Sequence, residues 1–120
     1  MFPQPPKARW MWLLPALVIL PLAFRFVRAS SSEPAPRRHE VVISGMAFQP
    51  PIIEAAVGDT IVWINRDIVP HNATDSSAAP AWQTAALSQG EQGRIVVTAT
   101  GELHYFCSLH PIMQAKVVVQ

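Results

Sequence analysis

Residues 102–119 read ELHYFCSLHPIMQAKVVV, and this stretch decides how the rest of the chain is understood. Its first six residues alternate in the manner of a strand, so Leu103, Tyr105 and Cys107 share one face and His104 and Phe106 the other. Its last five, AKVVV, again favour a strand. Between them lies a short loop carrying His110 and Met113 close behind Cys107. That cysteine is the only one in the chain, so it forms no internal disulfide. The parity places it at the end of an inward-facing row, where a buried metal could be held.

Upstream, the same kind of segment recurs. EVVIS (40–44), IIEAA (52–56), TIVWIN (60–65) and GRIVVTA (93–99) are short runs rich in Val, Ile, Thr and aromatic residues. Turn residues separate them: Gln49-Pro50-Pro51, Val57-Gly58-Asp59 and Thr100-Gly101. This spacing predicts an all-β domain, an antiparallel sandwich or barrel. Only DSSAAPAWQTAALSQGEQ (75–92) is long without strand character, and it has room for one helical turn.

The 120 residues allow one folded domain at most. Residues 1–29 read as a secretory signal peptide: Lys7 and Arg9 precede an apolar run from Trp10 to Phe24, and small residues follow. The rival reading is an uncleaved anchor over residues 10–27. The run is short for a span, which needs roughly 20 residues. Arg25, Arg28, Arg37 and Arg38 behind it also run against the positive-inside bias. Export suits the chemistry below, which gives a periplasmic or other extracytoplasmic location. Residues 30–38 form a Ser/Pro/charged linker and residues 39–120 the domain. From residue 30 onward there are five basic and eight acidic side chains, a net charge of −3. The positive balance of the whole chain therefore belongs to the leader, and nucleic acid is excluded as a partner class.

The candidate ligands are His71, just past TIVWIN on a loop, with Cys107, His110 and Met113. One distant histidine and a C-x2-H-x2-M loop supply two imidazoles, a thiolate and a thioether. Two His and a Cys in a trigonal set with a weak axial Met describe an electron-transfer copper site. Zinc would take His, His and Cys but prefers a nitrogen, oxygen or thiolate as its fourth ligand, or a water. A zinc hydrolase also needs an open position and a general base, and the sequence offers neither, so no catalytic residues are assigned. His39 and His104 read as ordinary histidines, at the linker edge and on the outward face respectively. Met46, Trp63, Trp82 and Tyr105 read as packing residues.

FQPPIIEAAVGDTIVWINRDIVPHN (48–72) together with GELHYFCSLHPIMQAKVVV (101–119) resembles the cupredoxins, the small blue copper proteins. Within them the short ligand loop, with Pro after the second His, is most similar to the amicyanin branch. The resemblance spans roughly residues 39–120. Ala115 departs from it, because a Gly is usual there, and so does Leu103, where Tyr is common. It implies a Greek-key β-sandwich, one copper ion cycling between Cu(II) and Cu(I), and one-electron shuttling by a monomeric domain. The partners would be a redox donor and acceptor, a dehydrogenase or a cytochrome. Copper storage or delivery is the alternative function. The resemblance also implies that Asn72 ties the two ligand loops together. Ile68, Val69 and Pro70 before His71, and Leu109, Pro111 and Ile112 around His110, are expected to form an apolar collar for partner docking.

Overall fold

The computed structural model describes residues 1–4 and 32–120. The leader assigned to residues 1–29 and the anchor assigned to residues 10–27 fall almost wholly or wholly outside the described residues. Residues Glu33–Gln120 form one compact unit. It is built from eight strands: β1 Arg38–Ser44, β2 Ala47–Gln49, β3 Ile52–Ala55, β4 Thr60–Asn65, β5 Thr74–Asp75, β6 Gln92–Val96, β7 Gly101–Cys107 and β8 His110–Val119. Among the described residues there is no helix, so the helical turn expected within 75–92 is absent. That segment instead runs through bends and a turn, with isolated bridges from Leu87 to His71 and from Gln83 to Thr74.

The strands form two four-stranded sheets, ordered β2-β1-β4-β6 and β3-β8-β7-β5. The antiparallel expectation needs correction. β1 pairs with β4, and β3 with β8, in parallel. The hydrophobic pattern of a strand is the same in either direction, so only the long-range connections reveal this. Strand β1 begins at Arg38, one residue earlier than the domain boundary read from the sequence. The reason is local: the Arg37 N–H donates to Asp59 Oδ1 at 2.8 Å, and His39 Nε2 lies 2.8 Å from Asp59 Oδ2. His39 is therefore a strand residue fastened to the β3–β4 turn rather than a linker residue.

The core lies between the sheets. Val41 and Ile43 of β1, Ile61 and Trp63 of β4, Tyr105 and Cys107 of β7, and Val117 of β8 are all buried to within 1% of full enclosure. Burying each such side chain is worth roughly 1.5–3 kcal/mol. Trp63 is the hub: it stacks on Trp82 at 5.4 Å and meets Tyr105 edge-on at 5.2 Å. Met46 is not part of this core. It is 42% exposed and sits beside Gly45 in the β1–β2 turn, with φ of 59° and 60° for the two. Two successive positive φ values belong to the tight hairpin turn that matches strand twist. Gly reaches that region freely, whereas Met46 adopts it at some cost.

Candidate metal centre

The alternation in β7 runs as its sequence predicts. Leu103, Tyr105 and Cys107 turn toward the core, and His104 lies exposed on the other face, beside Glu102 at 2.9 Å. At the end of β7 the ladder changes register. Phe106 pairs with Gln114 but Cys107 pairs with His110, so Pro111, Ile112 and Met113 have no partner opposite them. This bulge lets a short loop carry two different tasks. Pro111 and Ile112 face outward, while Met113 turns in and is 97% buried at the head of the β8 row that continues to Val117 and Val119. His110 is only partly buried.

His71 arrives from the other side. Its backbone N–H donates to the Leu87 carbonyl at 3.1 Å, and its carbonyl accepts from the Leu87 N–H at 2.7 Å. The imidazole is fully buried. Its Nδ1 lies 3.7 Å from Cys107 Sγ, and His110 Nδ1 lies 3.8 Å from the same sulfur. The three donor atoms fall within 4.8 Å of one another. These separations test the fit of a metal. Bond lengths of about 2.05 Å to nitrogen and 2.3 Å to thiolate give S···N edges of about 3.8 Å at trigonal angles and about 3.6 Å at tetrahedral ones. The two observed edges, 3.7 and 3.8 Å, are of the size a single ion held by all three donors requires, and Met113 is buried in the same core cluster as Cys107. A soft thiolate, two imidazoles and a thioether suit copper.

Asn72 lies between the two loops. Its backbone N–H reaches Cys107 Sγ at 3.4 Å. Its side chain donates to Ser108 Oγ at 2.7 Å and accepts from the Ser108 N–H at 2.8 Å. One residue thus joins the His71 loop to the Cys107 loop and supplies a donor to the sulfur.

Two further residues organise the site and were not legible in the sequence. Asn65, fully buried at the end of β4, donates to the carbonyls of Val69 at 2.9 Å and Leu87 at 2.8 Å. It also accepts from the Asp67 N–H at 2.9 Å, which fixes the loop leading to His71. Asp67 Oδ2 lies 2.9 Å from His71 Nε2, while the carboxylate accepts the N–H groups of Gly45 at 2.8 Å and Met46 at 3.0 Å. The Met46 N–H first, then those of Gly45 and the His71 ring, hold the Asp67 carboxyl below its usual range despite partial burial. An Asp in a turn-like loop is common enough that neither spacing nor composition marks it. Its meaning comes from a hairpin turn some 21 residues upstream.

The pattern of the copper-binding proteins of the plastocyanin/azurin family matches residues 37–120. The chain belongs to that family. This cupredoxin is 32% identical over 83 residues to amicyanin of Paracoccus denitrificans, a match covering 67% of this chain and 63% of that protein. It is 31% identical over 84 residues to amicyanin-alpha of Methylorubrum extorquens, covering 68% and 71% respectively. It therefore spans less than two thirds of the Paracoccus protein's own length. Among solved structures, a Cu(I) form of an amicyanin variant superposes with a TM-score of 0.66 at 32% identity, covering 73% of this chain and 87% of that one. The cofactor of this family is copper, and the donor set gathered here fits it. The apolar residues that neighbour His71 and His110 in sequence are exposed. Ile68 and Ile112 are more than 80% exposed, and Val69, Pro70, Leu109 and Pro111 are exposed beside them in sequence.

Proposed function

We propose that this cupredoxin is a one-electron carrier whose single copper ion is held by His71, Cys107, His110 and Met113. The observation that carries the reading is the near-equal pair of S···N separations, 3.7 and 3.8 Å, from Cys107 to His71 and His110, with Met113 buried in the same core cluster as Cys107. Copper, when bound, supplies the one-electron couple between Cu(II) and Cu(I).

The protein's own residues supply the rest. The His71–Leu87 bridge, the Asn65 bonds to the same loop and the Asn72–Ser108 clasp fix the donors before any metal arrives. A site whose ligands are already in place needs little rearrangement when the metal changes charge, and this keeps electron exchange fast. His71, Cys107 and Met113 are all buried, which shields the inner side of the site from water. His110, partly exposed, is the edge through which an electron reaches a partner. Ile68, Val69, Pro70, Leu109, Pro111 and Ile112 form the docking collar around that edge; exposed apolar patches of this kind mark interaction sites. The relatives named amicyanin support this assignment.

The domain works outside the cytoplasm, with residues 1–29 directing export or, if residues 10–27 are kept, tethering it to the membrane. Residues 30–38 serve as the spacer. Donor and acceptor are redox proteins of the dehydrogenase or cytochrome class. Cyclic voltammetry of the copper-loaded protein tests the function. A carrier gives a reversible one-electron wave; copper bound in one oxidation state only, without a reversible wave, would instead indicate storage or delivery.

A further inference from the structure

The geometry points to Asp67 as a positioning residue that sets the reduction potential through His71, and to the β1–β2 turn as the clamp that holds it there. This inference rests on the copper reading above. Three observations carry it. Asp67 Oδ2 faces His71 Nε2 at 2.9 Å, so the ring places its proton on Nε2 and leaves Nδ1, the atom facing Cys107, free to bind metal. The same carboxylate receives two backbone N–H groups, from Gly45 at 2.8 Å and Met46 at 3.0 Å. Those two N–H groups converge only because both turn residues have positive φ, including a methionine for which that conformation is unusual. A strained turn aimed at a carboxylate, and a carboxylate aimed at a candidate ligand, make one continuous connection from an exposed hairpin to the metal pocket.

The chemical consequence has a definite sign. A carboxylate accepting the distal N–H of a ligating imidazole raises the basicity of the ring. The more positive ion gains more from that basicity and from the nearby negative charge, so Cu(II) is favoured over Cu(I) and the potential is lowered. The two turn N–H groups hold the carboxylate oriented toward the ring. Asp67 is also partly exposed, with its side chain 17% accessible, and its neighbour Ile68 stands in the docking collar. A partner pressing on the collar or on exposed Met46 would therefore act on the same connection.

The substitution Asp67→Asn separates charge from shape. It keeps an oxygen for His71 but removes the charge, and its amide nitrogen opposes the Gly45 N–H. Loss of such a partner weakens metal binding by about 10–100-fold. Where that loss falls on Cu(II), each tenfold raises the potential by about 59 mV for one electron. The experiment has two arms. In the first, nitrogen NMR of the metal-free wild-type protein reads the His71 tautomer; a proton on Nε2 is expected, and a proton on Nδ1 overturns the inference without involving copper. In the second, Cu(II) and Cu(I) affinities and the potential are measured for wild type and Asp67→Asn. A selective loss of Cu(II) affinity with a raised potential is expected. An unchanged potential, with a lower melting temperature alone, would show that Asp67 merely braces the loop. A wild-type protein that binds no copper would strike at the copper reading itself and leave the tautomer result standing.

Discussion

Gly93, second residue of β6, faces the loop that carries Thr84 and Leu87. A Cβ built on Gly93 would lie 2.9 Å from Thr84 Cγ2, 3.0 Å from Thr84 Cβ and 3.4 Å from Leu87 Cδ1. Carbon atoms pack comfortably at about 3.5–4.0 Å, so Gly93→Ala requires a displacement of roughly 0.5–1 Å. Thr84 is poorly placed to move. Its hydroxyl accepts the Ala73 N–H at 3.0 Å and lies 3.0 Å from the Ala85 carbonyl. Thr84 is also tied to Ala73 through its own backbone N–H, which donates to the Ala73 carbonyl at 2.9 Å. Gly93 does not have a positive φ, so Ala would gain about 0.4–1 kcal/mol from the unfolded chain. Overpacking costs about 1–3 kcal/mol, and the steric cost prevails. A net loss of about 1–2 kcal/mol lowers the melting temperature by roughly 4–16 °C for a domain of this size. The assay is thermal denaturation with and without copper, followed by the visible spectrum. The spectrum should shift, since the strain falls on Thr84, which is bonded to Ala73 two residues beyond His71. An unchanged or higher melting temperature would refute the idea that the close approach of loop and strand positions that ligand.

Two further outcomes are expected. Tyr105, the only tyrosine in the chain, is pushed up from 10.0 to about 12 by burial, and the nearby Trp63 indole offsets this only slightly without completing a hydrogen bond. The unfolded state loses this proton first, so stability is intact below pH 10 and has fallen by about 2 kcal/mol at pH 12. Absorbance titration of the single phenol checks this, and Tyr105→Phe should remove that part of the alkaline loss; a phenol titrating near 10 in the folded protein would contradict it. Ile112→Glu, at an 88% exposed position, should slow electron exchange with the natural partner about tenfold or more in stopped-flow mixing while sparing the spectrum, and an equal rate would remove Ile112 from the collar.

The sequence made the site more legible than the fold around it. Cys107, His110 and Met113 lie within seven residues, so a local motif announces them, and strand parity correctly turns Cys107 inward. His71 was found because its loop follows a strongly β-forming segment. What stayed hidden depends on contacts distant in sequence. The parallel pairing of β1 with β4 leaves no mark on either strand's hydrophobic pattern. Met46 reads as a core residue until Gly45 beside it is recognised as the start of a two-residue hairpin turn. Asp67 and Gly93 look like ordinary loop and strand residues. The first gains its role from turn N–H groups upstream, and the second from Thr84 and Leu87, brought against it by a segment with no regular structure.

The most direct test is the visible absorption spectrum of the Cu(II)-loaded protein, recorded for wild type and for Cys107→Ser. Thiolate bonded to Cu(II) in a trigonal set gives an intense charge-transfer band, and a serine oxygen cannot replace the sulfur as a soft donor. The account predicts an intensely coloured wild type and a variant that has lost the band while keeping its fold. A wild type that binds Cu(II) without the band, or a Cys107→Ser variant that keeps it, would contradict the assignment of copper to His71, Cys107, His110 and Met113.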